Sequence, residues 1–151
     1  MSKIVRIMIH CTGEPADVKR NKESYRHWFF DVQHWRHYGY HAIVYQNGYW
    51  EPLQPLPPAI NFVGTINDAT LACGQPGTNE NTIHIAYVGG VDPTSKKEVD
   101  TRTPQQRATL AALVRVYKRQ YQVTEVIGHR DWPGVRKACP CFDAKTEYRD
   151  V

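Results

Sequence analysis

A chain of 151 residues fits one domain and can bury about 70% of the surface its unfolded form would expose, so no disulfide framework is needed for folding. Hydrophobic residues make up 41% and charged residues 23%, a globular balance that excludes a fibrous chain, and no apolar run approaches the roughly 18 residues of a membrane span. The net charge of +4 is unevenly spread: positions 38–94 hold no Lys or Arg, whereas 96–151 hold twelve against seven acids, a surplus suited to a solvated helix face or to an anionic polymer.

Neither nucleic acid nor a membrane is an expected partner, because no Gly-rich, zinc-finger or aromatic RNA-binding signature accompanies the charge. The four cysteines, Cys11, Cys73, Cys139 and Cys141, are few and irregularly spaced, which points to reduced thiols. The opening Met1–His10 is too short and too soon interrupted by charge for a secretory leader, so a chain that is cytoplasmic as synthesised is expected. A monomer forming one domain over 1–151 is also expected.

In chain order, Ile4 to Ile9 reads as a buried strand delivering His10 at its carboxyl end. After a loop with Gly13 and Pro15, Tyr25, Trp28, Phe29 and Val32 fit one apolar face of a helix from Ser24 to about Gln33, an aromatic stripe expected in the core. His41–Gln46, Asn47-Gly48 and Tyr49–Glu51 predict a hairpin, because Asn-Gly supplies the positive φ angles of a two-residue turn. Residues 52–77, with five prolines and no period, read as irregular chain of the kind that serves a site.

Ile83 to Val88 predicts a further strand, ended by Gly89-Gly90. Thr103-Pro104-Gln105-Gln106 combines a capping box with Pro at the first helical position, opening a helix to about Tyr121 that buries Leu110, Leu113, Val114 and Tyr117. A last strand is expected over Val123–Ile127. His129 and Cys139 then share one loop, close enough to be presented to a single ion. His10, at a strand terminus that opens into the crevice of an α/β sheet, is the natural third ligand, and two His with one Cys leave a tetrahedral zinc one position for water.

Other metal sets remain open at this point. A structural zinc site on Cys139 and Cys141 is one, although their single-residue spacer is not the usual ligand spacing. His27, His34, His37, His41 and His84 sit in helix or strand contexts where packing or a hydrogen bond explains a histidine.

Ile9-His10-Cys11-Thr12, Gly39-Tyr40-His41-Ala42-Ile43, Asn81-Thr82-Ile83 with Val88-Gly89-Gly90, and above all Gly128-His129-Arg130-Asp131 followed by Lys137-Ala138-Cys139-Pro140 resemble N-acetylmuramoyl-L-alanine amidases of the second type. That group includes phage lysozyme-type amidases and the peptidoglycan-recognition proteins. The resemblance implies an α/β fold, a central mixed β-sheet flanked by helices, with zinc in a surface groove. It places His10, His129 and Cys139 on the zinc ligands and Tyr40 and Lys137 on the catalytic tyrosine and lysine.

The implied reaction is hydrolysis of the amide between N-acetylmuramic acid and L-alanine in peptidoglycan; the alternative is a non-catalytic peptidoglycan-binding module of the same fold. A thiol-dependent peptidase lacks an activating helix amino terminus before any cysteine. Ala86 and Cys139 stand where a related branch has acidic residues, which sides with the Tyr/Cys branch. Gln54 and Cys73-Gly74 replace an Arg and a His common in relatives, so the groove around 54–77 is expected to differ.

Overall fold

The computed structural model describes residues 2–151. In chain order these form β1 (Ser2–Lys3), β2 (Arg6–Cys11), β3 (Glu14–Pro15), α1 (Lys22–Arg26) running on into a π-helical turn (His27–Val32), β4 (Ala42–Val44) and β5 (Trp50–Pro52). Then come β6 (Thr65–Ile66), β7 (Thr82–Tyr87), β8 (Gly90–Val91), α2 (Pro104–Tyr121), β9 (Glu125–Gly128) and α3 (Ala144–Glu147).

The central sheet has the order β5-β4-β7-β2-β9. β4, β7, β2 and β9 run parallel, and β5 returns antiparallel to β4 across the Asn47-Gly48 turn, which makes the sheet mixed. β2 therefore lies inside the sheet and is covered on both faces, which is why it reads as a nearly unbroken apolar run. It extends to Cys11 rather than stopping before His10.

Side chains alternate across a strand, and the parallel register decides which residues share a face. Ile7 and Ile9 pair with Ile83 and Ile85 on the face covered by α2, where they join Tyr87, Leu110, Val114, Tyr117 and Tyr121 in the larger core cluster. Met8 pairs with His84, and His10 with Ala86, on the opposite face. There a smaller cluster of Tyr25, Phe29, Ile43, Leu53, Ala86 and Val88 forms the core. The histidines thus belong to the thinner side of the molecule.

The expected capping box of α2 is present: Thr103 Oγ1 accepts the Gln106 N–H, and Gln106 Oε1 accepts the Thr103 N–H, both at 3.0 Å. The Gln106 amide also donates to the carbonyls of Val44 and Val88, fixing the helix start against the sheet. Leu110, Leu113, Val114 and Tyr117 are buried as the spacing predicts.

The aromatic stripe of residues 25–32 divides differently from the expectation. Tyr25 and Phe29 are buried, whereas Trp28 and Val32 are 48% and 46% exposed. An α-helical period would carry all four to one face, but the π-helical turn His27–Val32 widens the spiral and rotates Val32 away from that face. The segment 52–77 is largely irregular, as expected, although Thr65–Ile66 pairs antiparallel with Ser2–Lys3.

Candidate metal centre and active site

His10 and His129 meet because β2 and β9 are neighbours and run parallel, so their carboxyl ends open on the same edge. A 3-10 turn over His129–Asp131 then lifts the chain away. The loop closes again where the Arg130 N–H donates to the Cys139 carbonyl at 2.8 Å, returning Cys139 to the same edge. Tyr87 Oη donates to the Pro140 carbonyl at 2.7 Å, anchoring the far side. Gly128 is required here, since a Cβ would lie 2.7 Å from Pro140 Cδ.

The result is a cluster in which ligand atoms of His10, His129 and Cys139 all lie within 4.8 Å of one another. Cys139 Sγ accepts the backbone N–H of Cys11 at 3.1 Å, which holds the sulfur beside β2. His10 Nε2 is bonded to His84 Nδ1 at 2.8 Å, and His129 Nε2 to Gln75 Oε1 at 2.7 Å. Both Nε2 atoms are therefore engaged, and Nδ1 is the nitrogen each imidazole has left for a ligand. Two imidazoles and one thiol are a donor set suited to zinc, whose bonds of about 2.0–2.3 Å fit a cluster of this span after small side-chain adjustment. The three residues fit such an ion.

The electrostatics favour neutral imidazoles, the form that binds metal. Burial, then His84, His129 and Lys137, holds His10 well below its ordinary value. Burial and Lys137 bring His129 down to about 4. His84 is lowered by burial and then by His41, His129 and Arg6.

Around the cluster lies an open groove of about 590 Å³. Tyr40, Trp28, Trp35, Glu98, Arg136 and Lys137 contribute to its walls. The Tyr40 ring stands 5.2 Å from that of His10, between centroids, and packs edge-on against Phe29. Burial, reinforced by Cys139, Cys11 and Glu14, raises the Tyr40 hydroxyl well above its ordinary range, so it stays a proton-bearing donor at neutral pH. Lys137 is exposed, two residues before Cys139.

The five residues singled out from the sequence thus border one groove. Cys141 stands apart from the three-residue cluster: its sulfur is 4.0 Å from that of Cys11 and near the Gly90 carbonyl. His41 donates from Nε2 to the Thr70 carbonyl and accepts the His84 N–H at Nδ1, a structural histidine. His84 is also hydrogen-bonded, as its strand context suggests, but its partners are His10 and Asn79, a connection that no local sequence pattern encodes.

Residues 1–142 match the family model described as N-acetylmuramoyl-L-alanine amidase. The chain belongs to this amidase family. A curated relative, the endolysin of Klebsiella phage KP32, is 29% identical over 140 residues, covering 93% of this chain and 82% of that protein. Among solved structures, the N-acetylmuramoyl-L-alanine amidase LysC from Clostridium intestinale URNW superposes with a TM-score of 0.69 at 21% identity, covering 95% of this chain and 80% of that one. Drosophila PGRP-LB gives a TM-score of 0.71 at 13% identity, covering 97% and 80%. The mixed sheet and its flanking helices are therefore the amidase fold, and this amidase is a peptidoglycan hydrolase by family.

Proposed function

We propose that this chain, one catalytic unit over 1–151, hydrolyses the amide joining N-acetylmuramic acid to L-alanine in peptidoglycan, with a zinc ion held by His10, His129 and Cys139. The observation that carries this reading is the convergence of those three ligand atoms within 4.8 Å in a groove also lined by Tyr40 and Lys137. What zinc supplies at such a site is Lewis acidity, for polarising the scissile carbonyl and making water acidic near neutral pH.

The chain's own residues do the rest. As the scissile carbon becomes tetrahedral, negative charge gathers on its oxygen. The Lys137 ammonium is a cationic donor on the groove wall, and the Tyr40 hydroxyl, kept protonated by its buried setting, is a neutral donor beside His10. Both can hydrogen-bond the developing oxyanion, the kind of contact that strengthens only on the way to the transition state. Trp28 and Trp35 offer flat apolar faces on the groove wall, suited to the apolar face of a sugar ring.

Among the described residues no helix is long and apolar enough to cross a membrane, and the proposed site of action is the bacterial cell wall. The test is digestion of purified peptidoglycan followed by mass spectrometry of the products. Zinc-loaded protein should release intact stem peptides beginning with L-alanine, and chelated protein should not. Cleavage that survives complete zinc removal would overturn the metal assignment, and zinc-loaded protein that binds wall without releasing peptides would establish the non-catalytic alternative.

A further inference from the structure

The segment 74–79 lies in largely irregular chain, yet it bonds His129 directly and reaches His10 through His84. The Gln75 backbone N–H donates to Asn79 Oδ1 at 2.9 Å. A backbone N–H can only donate, so the oxygen identity of that Asn79 atom is fixed. His84 Nε2 lies 2.9 Å from the same oxygen and must therefore carry the proton. Its Nδ1 is then an acceptor, and His10 Nε2, 2.8 Å away, must donate to it. The proton on His10 is thus confined to Nε2, and the lone pair to Nδ1.

The same segment fixes His129. The Gln75 side-chain Nε2 donates to the Pro76 carbonyl at 3.2 Å, which turns Oε1 toward His129. Oε1 accepts from His129 Nε2 at 2.7 Å, again leaving the lone pair on Nδ1. Gly74 makes the arrangement possible, because a Cβ there would overlap the His84 ring. Outer partners of this kind set the tautomer and ring orientation of metal-bound histidines and raise their basicity.

We propose that Gln75, Asn79 and His84 are positioning residues that hold His10 and His129 in the Nδ1-coordinating tautomer before metal arrives, with His84 relaying the Asn79 oxygen to His10. The inference rests on the zinc site proposed above. It also has a signature independent of catalysis, because the tautomers are set in the metal-free protein.

The experiment has two readouts. The first is long-range proton–nitrogen NMR of the imidazoles in metal-free, folded protein, where His10 and His129 should both be the Nε2–H form. The second is zinc affinity by competition with a chromophoric chelator. Gln75→Ala and Asn79→Ala, both at partly exposed positions, should weaken zinc binding by about 10–100-fold. Gln75→Glu and Asn79→Asp keep the acceptor oxygens and should stay within a few-fold of wild type.

Alanine variants that bind zinc as tightly as wild type, or Nδ1–H tautomers in the metal-free protein, would overturn the inference. Wild type that fails to bind zinc would instead overturn the metal site itself.

Discussion

Acidification of the metal-free protein tests the buried histidines together. His41 and His129 are each depressed from 6.5 to about 4, and His10 and His84 are also held well below their ordinary value. For His41 the chief cause is burial, partly opposed by the Thr70 carbonyl it donates to; its Nδ1 already accepts the His84 N–H, so a second proton would displace that bond. A group with a depressed folded pKa stays neutral in the native state while the unfolded chain takes up a proton. Stability is therefore fully present above about pH 6.5 and is lost as pH falls toward about 4.

A histidine at about 4 in the fold costs about 1 kcal/mol between pH 7 and pH 5.5, with a limiting slope of about 1.4 kcal/mol per pH unit. His41 and His129 together give about 2–3 kcal/mol, and the lowered His10 and His84 act in the same direction. A domain has only about 5–15 kcal/mol in total, so metal-free protein should be clearly less stable at pH 5.5 than at pH 7. The assay is urea denaturation of chelated protein at several pH values, followed by circular dichroism. An unfolding free energy that changes by less than about 1 kcal/mol between pH 7 and 5.5 would refute the account, since it would mean that these imidazoles are already charged or solvated in the native state.

Other perturbations separate the roles assigned above. Cys139→Ser should lose zinc and activity together, whereas Lys137→Ala should keep zinc by metal analysis and lose about 10–100-fold in kcat, the scale of one oxyanion donor or somewhat less; equal zinc loss in both would contradict the division of labour. Gly74→Ala should cost about 1–3 kcal/mol in thermal or urea unfolding, because the added methyl meets an imidazole tied at both nitrogens and overpacking of a fixed neighbour costs that much. Arg102, buried between Asp100 and Glu147 and 3.2 Å above the Phe142 ring, should lose about 1–3 kcal/mol on substitution by Ala in the same assay, since its packing over Phe142 and its ion pairs go together while Asp100 keeps Arg107 and Glu147 stays open to water.

The parts of the fold legible in the sequence are those specified by local chemistry. The hairpin at Asn47-Gly48 needs only residues that accept positive φ, and α2 carries its start signal and its apolar face within one stretch from Thr103 to Tyr121. The parallel strands were legible as strands, but their order was not, because β2 sits between β7 and β9 through pairings separated by more than 70 positions. The π-helical turn that exposes Trp28 and Val32 was also hidden, since an α-helical wheel is the default against which any apolar stripe is read.

The candidate ligands were legible for a related reason: His10 ends a strand, and His129 and Cys139 punctuate one loop next to a distinctive motif. The groups that orient them were not. A histidine in a buried strand such as β7 is correctly expected to be hydrogen-bonded, because an unpartnered buried imidazole is costly. That argument says a partner exists without saying which. Here the partner of His84 is a ligand, and the decision depends on a backbone N–H at Gln75 and a side-chain oxygen at Asn79 reaching across the sheet edge. A proton is placed on one nitrogen of His10 by a donor that lies 65 positions away along the chain, and only the closed fold connects the two.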